Sequence, residues 1–292
     1  MPIKNVDLPA GHKYFPGLEA DEFTHPLDRD ALNVLRSIPV LDQVINFINK
    51  EMIERAMYLT YISQSVRVNE RMMPHVYEKF LWAVKVLDLE EDLANQGKPL
   101  PELYVTQDPL FNGFTGGTDQ TFIVLNSAII NWTDEKDWFY VLAHELGHIK
   151  ANHVLYLTVA RIVLEGLRQI SIPGIDLLVI PILEWMRKAE LTADRAAAMC
   201  LQEEDPCLAI HMKFAGGVTN MEHLDLEEFI RQVDLYAERD NIVDIFSKVM
   251  LSTFRSHPFP IFRAKEIREW MNGFEYERLM RKGRTQEPAG VS

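Results

Sequence analysis

Val141-Leu142-Ala143-His144-Glu145-Leu146-Gly147-His148 is the stretch whose reading decides the fold. Residues four apart share one face of an α-helix, so His144 and His148 present two imidazole nitrogens to one point in space. Glu145 is turned about a quarter circle from them, beside an ion held there, where its carboxylate can bind water without becoming a ligand. A catalytic zinc takes three protein ligands and leaves its fourth position to water, so two histidines require a further donor downstream. Ala189-Glu190-Leu191-Thr192-Ala193-Asp194-Arg195 supplies it. On a solvated helix face an acidic pair at this spacing is ordinary. Following a His-Glu-x-x-His helix, it makes Glu190 the expected third ligand. Asp194, one turn later, is placed to hold a ligand histidine through its free ring nitrogen.

Around this centre the pattern changes along the chain. Residues 1–30 carry Pro2, Pro9, Pro16 and Pro26 and read as an irregular arm. From Asp30 to Leu93 apolar residues recur at three and four, with breaks at Pro39 and Pro74, which predicts two or three helices. After Gln96-Gly97-Lys98-Pro99 come short β-prone runs, 103–106, 111–115 and 120–126, the last two joined by a turn at Gly116-Gly117-Thr118-Asp119. Acidic residues at 134–135 start the motif helix. A second helix runs from about Leu183 to Met199 and is stopped by Pro206, with further helical patterns over 226–254 and 261–280. The expected division is an arm over 1–30 and one domain over 31–292, comprising a helical part 31–96, a catalytic core 97–282 and a frayed tail 283–292.

Composition narrows the function classes. The 43 acidic residues outnumber 30 basic ones, and a net charge of −13 repels phosphate backbones, so nucleic acid is not an expected partner. The opening MPIKNVDLPAGHKYFPGLEADEF lacks the apolar run of a secretory signal, which gives a cytoplasmic expectation. Two cysteines, Cys200 and Cys207, are too few for a disulfide framework or a four-thiolate zinc site. The apolar stretch 154–185 is interrupted by Arg161, Glu165, Arg168 and Asp176 and by Pro173-Gly174 and Pro181. It therefore falls short of the ~20 residues of a bilayer span, and reads as a buried helix, a turn and a second apolar segment, with contact to a membrane surface or partner as the alternative.

Three blocks resemble the M48 zinc metallopeptidases, the family of HtpX and the CAAX prenyl endopeptidases. They are the stretch 141–148 with His153 after it, Glu190-Leu191-Thr192-Ala193-Asp194-Arg195, and Ser256-His257-Pro258-Phe259-Pro260-Ile261-Phe262-Arg263. With the strand region from Leu103, the resemblance covers about residues 100–270. It implies one zinc per chain on His144, His148 and Glu190, with Glu145 as general base. Membrane-embedded relatives have transmembrane helices between the first two blocks, so this chain resembles a soluble branch and prenylated-substrate chemistry does not carry over. Where many relatives have Asn-Ala-Phe, this chain has Asn112-Gly113-Phe114.

The expected architecture is α+β, mainly α: a gluzincin-like zincin with a small sheet packed over the motif helix. The expected activity is hydrolysis of peptide bonds in a protein or peptide substrate, which adds itself to a sheet edge near 111–115. His257 is a candidate donor to the oxyanion, with a helix-capping or buried structural role as the alternative. Arg263 is expected to pair with Glu190 or Asp194, or else to lie on the surface. His153 is assigned a structural role, and a minor alternative puts His12 or His25 of the arm on the metal's open position. The rival of a different class is a latent or non-catalytic zinc-binding scaffold; retention of Glu145 argues against it.

Overall fold

The structure, a computed structural model, describes residues 6–50, 53–117, 120–166, 173–239 and 257–286. Thr118-Asp119 of the expected turn, Arg168, Ser256, residues 240–254 of one expected helix and the last six residues lie outside them. Helices α1 (Pro26–Arg36), α2 (Val40–Lys50), α3 (Ile53–Gln64), α4 (Pro74–Val86) and α5 (Leu89–Asn95) form the N-terminal part. Their number exceeds the two or three expected, because residues 65–73 leave the helical path as well as the Pro39 break. Residues 65–67 form strand β2, which the helical period of the surrounding sequence conceals. Pro26 sits in the first turn of α1, where its missing N–H costs no hydrogen bond and its fixed φ suits the helix.

The sheet has the order β2, β3 (Glu102–Thr106), β5 (Phe122–Asn126), β4 (Gly113–Gly116). β3 and β5 run parallel, with Leu103 opposite Ile123; β4 is antiparallel to β5, with Phe114 opposite Val124. All five residues of β5 are buried, as expected of a strand covered on both faces. β4 is an edge. One face of the sheet meets α7 (Glu135–Lys150), the motif helix, and the other is covered by Tyr58, Tyr61 and Ile62 of α3. A capping box at Asp134 and Asp137 starts α7 where the acidic first turn predicted it.

α8 (Val154–Gly166), a 3-10 turn at Ile175–Leu178 and the start of α9 (Val179–Leu201) fall in the apolar stretch 154–185. Val159, Val163, Leu178 and Ile182 bury themselves there against Leu35, Leu41 and Val44 of α1 and α2, so this surface is spent on a protein core. Among the described residues no helix is long and apolar enough to cross a membrane. α10 (Glu204–Gly216) follows directly, and Pro206 lies in its first turn: it opens this helix instead of merely stopping the last. α11 (Leu226–Glu238), α12 (Pro260–Met271) and α13 (Phe274–Lys282) complete the fold, the last two divided at Gly273. Residues 13–14 (β1) pair with Arg284–Thr285 (β6), within the stretch read as a frayed tail, and the arm buries Phe15, Leu18 and Phe23 in the main core.

α7 and α9 carry the site and touch along their length. Gly147 makes the approach possible: a Cβ there would stand 2.6 Å from the Ala196 Cβ and 3.2 Å from the Ala193 backbone. Gly147→Ala is therefore expected to lower stability by about 1–3 kcal/mol, the usual cost of overpacking a dense core. The measurement is the denaturant midpoint of unfolding. An unshifted midpoint would show that the two helices can part without penalty.

Candidate metal centre

α7 points His144 and His148 at Glu190 of α9. The His144 Nε2 lies 3.4 Å from Glu190 Oε2, and the His148 Nε2 lies 3.4 Å from Oε1. All three residues are buried, and one donor atom from each falls within 4.8 Å of the others. A tetrahedral zinc with bonds of about 2.0–2.1 Å sets neighbouring ligand atoms roughly 3.3–3.4 Å apart; each imidazole nitrogen stands at that spacing from a different Glu190 oxygen, and two nitrogens with a carboxylate are a donor set that suits zinc. Two nitrogens and a carboxylate leave one coordination position open. A cleft of about 390 Å³ reaches the triad, lined by Leu110, Phe111, Val141, Glu145, Phe214 and His257 among others.

Each expected residue can be placed. Asp194 lies behind His144, its Oδ1 3.0 Å from Nδ1. Arg263 of α12 donates to both Asp194 oxygens, from Nε at 2.7 Å and Nη2 at 2.6 Å, and its Nη1 is 3.1 Å from Glu190 Oε2. The surface alternative for Arg263 is excluded by its burial. His257 is half-exposed in the cleft wall with Nδ1 3.1 Å from Glu190 Oε2. Asn112 also lines the cleft. Gly113 faces Leu125 and Val141, and Phe114 turns to the opposite face of the sheet against Tyr61 and Phe122, because side chains alternate along a strand. Any contact of Phe114 with a bound chain is therefore through its backbone. His12 stands edge-on to Trp82, and His25 caps α1 and reaches Glu266 at 3.1 Å, so neither arm histidine lies at the triad.

Burial and charge work against each other here. Burial lowers the affinity of His144 for a proton, but the Glu190 and Asp194 carboxylates override it and lift its pKa to about 9. Burial pushes His148 down to about 4 and Glu145 up to about 7. Glu190 is desolvated too, yet His257, Arg263 and His144 keep its carboxyl well below the usual range. Asp194 is likewise held low despite its burial, chiefly by Arg263.

Several further residues join the site through the fold. The Tyr140 hydroxyl donates to Asp194 Oδ1 at 2.9 Å and lies 3.1 Å from the Nε2 of His211. The hydroxyl's one proton goes to Asp194, so the His211 Nε2 donates to the hydroxyl oxygen, and burial lowers the His211 pKa to about 3. Tyr140 is one turn before His144, which is its sequence clue; His211, assigned no role, is on α10. His153 was given a structural part, and the structure sets its Nδ1 3.0 Å from the Nδ1 of His148. Asn152 makes this possible by taking φ +58° just past the end of α7 and folding the chain back. Beyond His153 lies Asp28 of α1, Oδ2 3.0 Å from Nε2. Burial resists ionisation of Asp28, but the donors His153 and Thr192 hold its carboxyl below the usual range.

A mainly helical α+β fold with two histidines on a sheet-backed helix and a glutamate from the next long helix defines a zincin. Comparison with known proteins specifies which. Residues 84–271 match peptidase family M48. The chain is 31% identical over 277 residues, 92% of its length, to the plastoglobule-localized metallopeptidase 48, chloroplastic, of Arabidopsis thaliana, and covers 77% of that protein. It is 26% identical over 201 residues to a protease HtpX homolog of Helicobacter pylori, 58% of this chain and 60% of that one. A protease HtpX homolog of Sulfurihydrogenibium is 33% identical over 88 residues, 29% of each chain. No solved structure matches. The chain belongs to peptidase family M48, a metallopeptidase family.

Proposed function

We propose that the protein is a zinc-dependent endopeptidase in which His144, His148 and Glu190 hold the metal and Glu145 is the general base. The observation that carries this reading is the convergence, in one cleft, of a buried three-donor triad with a second carboxylate, that of Glu145, beside it. Zinc bound there supplies a Lewis acid that polarises the scissile carbonyl and makes a water acidic near neutral pH. Glu145 accepts the proton of that water and can return it to the leaving amine. Asp194 fixes the His144 ring with Nδ1 protonated and Nε2 free for the metal, and Arg263 fixes Asp194.

Edge strand β4 supports binding of an extended peptide by main-chain pairing beside the cleft, with Leu110, Phe111 and Phe214 offering apolar contact. The test is digestion of a broad peptide library with and without prior removal of zinc. Cleavage that disappears with the metal supports the reading, and an intact library with zinc-loaded protein contradicts it.

His257 has its Nδ1 engaged by Glu190, which leaves Nε2 for the oxyanion formed when water attacks. His257→Ala is expected to keep zinc and lower kcat about ten- to a hundredfold; a fully enclosed donor contributes more, and this ring is half-exposed. Unchanged kcat on a good peptide would assign His257 to holding Glu190 alone.

A further inference from the structure

Two ligand histidines need the same preparation. Each must carry its proton on Nδ1 so that the Nε2 lone pair is free for a metal, and the group facing Nδ1 decides this. For His144 that group is the Asp194 carboxylate, in direct contact. For His148 no carboxylate among the described residues faces Nδ1; the neighbour is another imidazole nitrogen, the Nδ1 of His153 at 3.0 Å. Two ring nitrogens at that distance share one proton, and geometry around His148 does not say which owns it.

The far side of His153 does. Its Nε2 lies 3.0 Å from Asp28 Oδ2, and an ionised carboxylate only accepts, so the tautomer this contact selects for His153 has its proton on Nε2. Its Nδ1 is then an acceptor, His148 Nδ1–H is the donor, and the His148 Nε2 lone pair faces Glu190 and the metal position. Asp28 is itself held: Trp185 Nε1 donates to Oδ1 at 3.0 Å and Thr192 Oγ1 to Oδ2 at 2.6 Å. Asp28, His153 and His148 are all at most 2% exposed, so no water competes for these positions.

We propose that Asp28 and His153 are positioning residues for the zinc: a carboxylate in the N-terminal part sets, through an intervening histidine, the tautomer and orientation of ligand His148. The N-terminal helix α1 is thereby a working part of the metal centre, and the two ligand histidines are prepared by two carboxylates, one in contact and one at a remove. This inference rests on the zinc reading above.

The test is the zinc dissociation constant of the full chain, measured by competition with a chelating dye, with the unfolding midpoint of the zinc-free protein measured in parallel. In Asp28→Asn one oxygen must serve Trp185 on one side or His153 on the other. With Trp185 keeping it, the amide NH2 faces His153 Nε2, reverses the tautomer and puts a proton where His148 needs an acceptor. Zinc binding is expected to weaken about 10- to 100-fold, the usual cost of losing such support. His153→Phe, which removes the acceptor, is expected to do the same, and carries the test if Asp28→Asn does not fold. Trp185→Phe keeps a ring against His153 and takes only the hydrogen bond to Asp28 Oδ1, so it is expected to lower the midpoint and to weaken zinc binding less than either of those variants. Added to Asp28→Asn, it frees the amide oxygen to turn to His153 and is expected to restore most of the affinity, which a packing role for Asp28 would not produce. Wild-type affinity in either single variant, or equal weakening by Trp185→Phe, overturns the proposal and leaves the zinc reading intact. A wild type that binds no zinc overturns both.

Discussion

Glu145→Gln is expected to bind zinc as the wild type does, to unfold at a similar midpoint, and to cleave peptides about 10²- to 10⁴-fold more slowly, the contribution of a positioned general base. The change preserves size and the ability to hydrogen-bond water, and removes only basicity. The wild-type carboxyl is buried, and burial raises its pKa to about 7, close to where a base both exists unprotonated and binds a proton well. Neutral glutamine tolerates that burial better than a carboxylate, so lost folding cannot account for lost activity. Loss of zinc in the variant would make Glu145 a ligand. Hydrolysis at the wild-type rate would place the base elsewhere.

The second large effect is on metal. Glu190 is the donor that α9 contributes, and its two oxygens face the two imidazole Nε2 atoms at 3.4 Å each. Zinc gains roughly 10–16 kcal/mol in four-ligand protein sites; shared evenly, one ligand is worth about 3–4 kcal/mol, a hundred- to a thousandfold in affinity. Glu190→Ala is expected to lose at least that much, because it also leaves the buried Arg263 with one carboxylate in place of two. Asp194→Asn, which alters support rather than a donor, is expected to lose about 10- to 100-fold. Zinc content after dialysis against a weak chelator ranks them. Equal content in wild type and Glu190→Ala would remove Glu190 from the metal.

The triad was legible in the sequence because helix geometry turns spacing directly into proximity. His144 and His148 share a face by arithmetic, and Glu190 with Asp194 repeats that arithmetic two helices later, on α9. The strands 102–106, 113–116 and 122–126 were legible for the same local reason, as was the capped start of α7. What escaped were contacts that only the tertiary fold creates. Asp28 stands more than a hundred residues before His148 in a segment whose prolines mark it as irregular, and its spacing ties it to no metal ligand. His211 and Tyr140 meet at Asp194 from α10 and α7. His153 fails the four-residue rule because the helix has already ended, and only the left-handed turn at Asn152 brings it back. α10 was hidden by Pro206, which breaks a helix interior but suits a first turn. β2 was hidden by apolar spacing that continues through it.

In this reading hydrolysis depends on one zinc in the cleft between α7 and His257-Pro258. Titration of zinc into metal-free protein, with bound metal and peptide cleavage followed on the same samples, tests it most directly. Activity is expected to rise in step with occupancy and to level off at one zinc per chain. Full occupancy without cleavage of any peptide, or cleavage undiminished in the metal-free protein, would contradict the account.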